Sequence, residues 1–185
     1  MTIEPIPYVL QKVVDAVSAE MLPKLIGLIP NCEGVRFDYG YPSEVIGRTA
    51  QMTTTLQNRV KKYPLIGLFL NIGEQRATDV DVLSSAKLTI FFCANRDPKF
   101  DSKQSYQNIL VPILEPIYNS FLKHLGKSKD IIKPNAGLFK HGYSFNPNWG
   151  KEGFAYFENG KKNVFNDFLD CILITDLEIK IKQNC

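Results

Sequence analysis

Few residues in this chain could do chemistry, and they are scattered. There are two histidines, His124 and His141, and four cysteines, Cys32, Cys93, Cys171 and Cys185. Neither histidine has a second His, a Cys or an acid at metal-ligand spacing, and no Cys-x-x-Cys pair occurs. A Cys93 nucleophile with His141 as its base is the one pairing to weigh. Cys93, however, sits in an apolar run, Ala86-Lys-Leu-Thr-Ile-Phe-Phe-Cys-Ala94, where a thiol is expected to behave as a small buried hydrophobe. The chain has no Gly-x-Ser-x-Gly elbow, no phosphate-binding Gly-Lys-Ser/Thr loop and no Gly-x-Gly-x-x-Gly after a strand. Asp79 and Asp81 alternate in a polar connection and two carboxylates so placed could hold a metal ion, but Arg76 nearby favours a solvated or intersubunit face. These residues point to no catalytic set, no cofactor and no metal site.

The elements that would carry such residues centre on Tyr63 to Leu125. Pro64-Leu-Ile-Gly-Leu-Phe-Leu-Asn-Ile72 and Ala86 to Ala94 are short apolar runs closed by turn residues, and read as buried strands. They are expected to be antiparallel neighbours, with Ile66, Leu68, Leu70, Ile90 and Phe92 in the core. The connection Gly73 to Ser85, with Glu74, Arg76, Asp79 and Asp81, is longer than a tight hairpin needs and alternates in charge sign, so it is a candidate assembly surface. A helix is expected from Asp101 or Ser102 to Leu125, its apolar residues holding helical spacing through Pro112 and Pro116. The two prolines predict a kinked helix or two short helices in line.

Upstream, Val9, Leu10, Val13, Val14, Val17 and Met21 form one face of a helix that Pro23 should bend or end near Met21. Gly34 to Tyr41 alternates as a half-buried strand. Val45 to Thr54 reads as strand or loop, followed by a short helix near Leu56 to Lys61 that Pro64 ends. Downstream, residues 127 to 166 read as a long loop inserted in the domain. It bears Lys127, Lys129 and Lys133 and many aromatics, including Phe145 and Trp149, that either fold back on the domain or await a partner. Asp170 to Lys182 closes as a strand with Leu177, Ile179 and Ile181 on one face and Glu178, Lys180 and Lys182 on the other. The expected fold is a single α+β domain over residues 1–185, a mixed and largely antiparallel sheet flanked by the N-terminal helix and the proline-kinked helix of about 102–125.

Composition agrees with a globular protein: 44% of the 185 residues are hydrophobic and 22% charged. The net charge of +3 is spread along the chain, so specific nucleic-acid binding is not expected. No run approaches the roughly 20 apolar residues of a membrane-spanning helix, and the N-terminus lacks a signal-peptide pattern. The widely spaced cysteines suit a reducing cytoplasm.

Three segments carry a family resemblance. Lys62-Tyr-Pro-Leu-Ile-Gly-Leu is similar to the lysine–aromatic–proline approach to the first core strand of tail-terminator, or tail-completion, proteins of tailed phages, in the versions carried by phages and prophages of Bacteroidetes-type hosts. Gln107-Asn-Ile-Leu-Val-Pro-Ile-Leu-Glu-Pro-Ile-Tyr-Asn-Ser-Phe-Leu resembles the proline-bearing helix after the second strand. Trp149-Gly, Asn163-Val-Phe-Asn-Asp-Phe-Leu-Asp-Cys-Ile and Leu177-Glu-Ile-Lys-Ile resemble the final loop and strand of the same group. The resemblance covers about residues 55 to 183. It implies a non-enzymatic virion protein, made in the host cytoplasm and residing in the tail or neck. Such a subunit forms a homo-oligomeric ring, typically a hexamer, that caps the tail tube and joins it to the head–tail connector protein. Glu74, Arg76, Asp79, Asp81, Phe145 and Trp149 are the candidate interface residues. The alternatives are another connector or neck subunit, a small cytoplasmic enzyme, or a monomeric binding domain.

Overall fold

The computed structural model describes residues 4–52, 61–70, 72–76, 83–134, 138–150, 156–158, 161–163, 165 and 167–182. The chain has an α+β fold. Its helices are α1 (Ile6–Leu25), α2 (Pro42–Gln51) and α3, a continuous run made of Ser102–Ser105, Tyr106–Leu114 and Glu115–Lys127. Its strands are β1 (Arg36–Gly40), β2 (Leu65–Phe69), β3 (Glu74–Arg76), β4 (Leu83–Asn95), β5 (Gly142–Asn146), β6 (Tyr156–Glu158), β7 (Lys161–Asn163) and β8 (Leu169–Lys182). The main sheet has the order β1-β2-β4-β8-β5, with β3 paired to β4 further along the edge that β2 uses. Among the described strands of this sheet β1 and β2 pair in parallel and the other pairs are antiparallel. β6 and β7 form a separate two-stranded ladder.

The expected pairing of the two central apolar runs holds, with Ile66 opposite Phe92 and Leu68 opposite Ile90, all four fully buried. Leu70 is only half-buried at the strand end. Within the expected connection Gly73 to Ser85, Glu74–Arg76 forms β3 and Leu83–Ser85 already belong to β4, Glu74 pairing with Ala86 and Arg76 with Ser84. Extended pairing suits this polar stretch because it lies on an edge where side chains stay wet.

β4 holds one alternation throughout. Ala86, Leu88, Ile90, Phe92 and Ala94 face the core formed with α1 and α3, while Phe91 and Cys93 face a second, smaller core. β8 changes phase. Ile172 and Ile174 point into the main core, but so do Leu177, Ile179 and Ile181. A bulge resolves the conflict: the register with β4 shifts between Leu88 and Ile90, and Asp176 takes φ 55°. The extra residue rotates the rest of the strand so that its apolar set returns to the helix side.

α1 buries the expected face and runs on through Pro23 to Leu25. α3 departs further from expectation. Residues Tyr106–Leu114 are π-helical, and Glu115 N–H reaches the carbonyl of Leu110 five residues back. Pro112 cannot donate and its ring would press on the carbonyl four residues back. Wider turns relieve both without breaking the helix. Residues 42–51 are helical where strand or loop was expected. Pro42 sits in the first turn and the Glu44 carboxylate accepts the Tyr41 N–H at 3.0 Å. The short helix expected near 56–61 lies mostly outside the described residues.

Candidate functional site

Among the described residues the thiols and imidazoles do not converge. Cys93 points into the second core, whereas His141 contacts Tyr118 of α3 on the opposite face of the sheet. The Tyr118 ring in turn packs edge-on to Phe92, the β4 neighbour of Cys93 that faces the main core. His141 Nδ1–H donates to the Phe139 carbonyl at 2.7 Å, so Nε2 accepts the Tyr118 hydroxyl at 2.8 Å. His124 is held through Nε2 by the Glu20 carboxylate at 2.7 Å, and Lys123 and His124 together hold that carboxyl below its usual range. Cys93 and Cys171 sit opposite each other on β4 and β8, and burial pushes both thiols up, which leaves them un-ionised and poor nucleophiles. Among the described residues no group of three or more His, Cys, Asp or Glu could hold a metal ion. No helix there is long and apolar enough to cross a membrane.

Two buried polar knots are architectural. Lys62, with 4% of its side chain exposed, pairs with Asp167, which also accepts the Tyr63 hydroxyl at 2.9 Å. Burial pushes the Tyr63 phenol well up. The backbone turn at Gly150 lies against the Asp167 carbonyl, where a Cβ would come within 2.0 Å, and Trp149 stacks at 5.1 Å from Phe165. The segments Lys62-Tyr-Pro and Trp149-Gly and the residues Phe165 and Asp167 thus meet at one place, under β2, β4 and the start of β8. The second knot is Arg96, whose guanidinium donates to the carbonyls of Asp97, Pro98 and Phe100 and to Ser105 Oγ. It lies 3.9 Å from Asp170, whose Oδ1 accepts Asn148 N–H at 3.1 Å and whose Oδ2 is buried with no hydrogen-bond partner. Burial raises the Asp170 carboxyl, against opposing contacts from Asn148, Ser105 and Arg96. This knot sets the turn from β4 into α3.

The interface residues expected from the sequence fall at separate places. Glu74 is exposed on β3 and accepts the Ser84 hydroxyl. Arg76 ends β3, and Asp79 and Asp81 lie outside the described residues. Phe145 is half-buried on β5, the outermost strand, edge-on to Tyr106 at 6.4 Å. Trp149 is 1% exposed in the second core against Phe91 and Phe165, so its ring is not available at the surface. An isolated tryptophan among glycines and asparagines carries no sequence signal separating an exposed anchor from a loop plug. Through the pairings of β8, Arg76 stands level with Ile181 and Phe145 with Ile172, roughly 30 Å apart at ~3.3 Å per residue.

Beside β3 lies a sheet face that, among the described residues, the second core does not reach; the sequence had marked only its β8 part, as the wet face of Asp170 to Lys182. The second core covers that side of β4 and β8 only as far as Phe91 and Leu173. Beyond it Gln75, Ser85, Lys87, Thr89, Asp176 and Glu178 line an open hollow. Lys87 and Glu178 are register partners across the two strands, a pairing of opposite charges. The signal was present as alternation along β4 and along β8 from Leu177 onward: the polar residues opposite an apolar set mark a wet face. Compared with known proteins, the chain matches no family model and no curated protein.

Proposed function

We propose that this chain is a structural subunit of a phage tail, a tail terminator that assembles into a ring, caps the tail tube and joins it to the head connector. The observation that carries the reading is the polar sheet face along β4 and β8 beside β3, left open among the described residues. Covered on one side and half-covered on the other among the described residues, this sheet offers a polar, charge-alternating plate next to the β3–β4 pair. Repetition of one such plate against a different surface of the next copy is a heterologous contact that closes by rotation. Two further points support the reading. The α+β architecture is the one the resemblance implies. The Lys62, Trp149 and Asp167 motif segments meet in one knot, as residues shared for architectural reasons would. A neck or connector subunit would use the same plate and differ in what lies above and below it.

The test is reconstitution. Tail tube protein of the same phage is polymerised with and without the purified chain and the tubes are measured by electron microscopy. The expected result is tubes of arrested length with the chain at one end. A chain that binds connector protein but leaves tube length unchanged supports the neck-subunit reading instead, and binding to neither removes both.

A further inference from the structure

At the end of the molecule where α3 stops, Lys127, Lys129, Lys133, Lys140 and Lys180 line two hollows that share Lys133 and form one groove. Their placement follows from the backbone. Ile131 is buried and bridges to Ile181, and Ile132 N–H donates to the Lys180 carbonyl at 2.8 Å, which lays the segment after α3 along the end of β8. All five side chains are exposed, and none makes an ion pair among the described residues. Of the described acids nearby, Asp130 is engaged by Lys12 at 3.3 Å, and Glu178 is the one that stands at the groove wall. The excess of positive charge here is greater than the +3 of the whole chain. Like charges so gathered oppose the compact state until something anionic neutralises them.

We propose that this groove binds the phosphodiester backbone of a nucleic acid without reading its sequence. The cations are spread along an open path, which suits an extended polyanion; among the described residues of the lining no buried charged group encloses a small anion. Among the described residues the lining has neither arginine nor an aromatic ring. Protein–protein interface cores are enriched in both and depleted in lysine, whereas lysine contacts to phosphate are the usual sequence-independent term of nucleic-acid binding. Among the described residues the lining also presents no Arg, Asn or Gln for base edges. The inference stands on the lysines and does not require the tail reading.

Fluorescence anisotropy of a labelled, random-sequence duplex DNA titrated with the full chain at several salt concentrations tests it. If four or five lysines each engage a phosphate, log affinity should fall against log salt with a slope of about −4, at ~0.9 per phosphate. The triple variant Lys129→Gln, Lys133→Gln, Lys180→Gln should bind about tenfold or more weakly and lose between two and three units of slope. The pair Lys99→Gln, Lys103→Gln, at the other end of α3, should leave both unchanged. Absence of binding at low salt overturns the proposal, as does a slope that the groove variant does not change. Displacement of the DNA by polyglutamate at equal charge concentration would assign the groove to an acidic protein surface and overturn it as well.

Discussion

At position 67 a single methyl group is already too much. A Cβ there would come within 1.9 Å of the Phe91 ring, which lies directly across the β2–β4 ladder and fills the middle of the second core between Phe69, Trp149 and Phe165. Gly67→Ala should therefore cost about 1–3 kcal/mol by overpacking. Adding Phe91→Leu should recover part of that loss, so urea unfolding of the two single variants and the double would show coupling of about 1 kcal/mol or more. Strict additivity would mean that the ring is not held as described. Asp170 gives a pH-dependent counterpart. Its carboxyl is raised in the folded chain, so between the ordinary carboxylate range and the raised value the folded state binds more protons than the unfolded one. Its contribution to stability is greatest at low pH and is lost as pH rises through the folded value. Asp170→Asn keeps an acceptor for Asn148 N–H and removes the titration. The variant's melting temperature relative to wild type should rise with pH above the usual carboxylate range, and a difference that is flat or falls would contradict the assignment.

Among the elements, α3 is the informative one. Its apolar spacing through Pro112 and Pro116 foretold one packed face, and Ile109, Ile113, Ile117, Phe121 and Leu125 are all buried. The spacing did not foretell the π-helical turns, because a period of about four residues is shared by a kinked α-helix and a slightly wider one. If packing against β4 and β8 sets the width, Pro112→Ala should leave the π segment in place and change stability by less than about 1 kcal/mol. A gain near 3 kcal/mol, the full cost of proline in a regular helix, would show that the prolines are strain the fold merely tolerates. The same limit explains other differences. The strand pairing of β2 with β4 was legible because both runs are apolar and bounded by turn residues. The helix at Pro42–Gln51 was not, since Val45, Ile46 and Thr49 favour a strand locally while the Glu44 cap and packing on the second core decide otherwise. The phase change in β8 was written in the sequence as Ile-Leu-Ile-Thr-Asp-Leu-Glu-Ile, but it acquires meaning only once the bulge at Asp176 is seen against β4.

For the whole molecule, the candidate site was legible in part. Glu74 and Arg76 do lie on an edge strand of the sheet, and Phe145 lies on the opposite edge, but Trp149 is a core residue. The polar plate beside β3 and the lysine groove at the end of α3 both needed the fold, because each gathers residues from strands or segments far apart in the chain. The account rests centrally on the plate being a subunit contact. The most direct test is the solution mass of the purified chain by size-exclusion chromatography with light scattering, alongside Ser85→Glu with Thr89→Glu, two half-buried polar positions on the uncovered face. The account predicts a closed oligomer of one discrete size for the wild type, and a folded monomer by circular dichroism for the variant. A wild-type chain that stays monomeric both alone and with tail tube protein, or a variant that assembles as the wild type does, would contradict it.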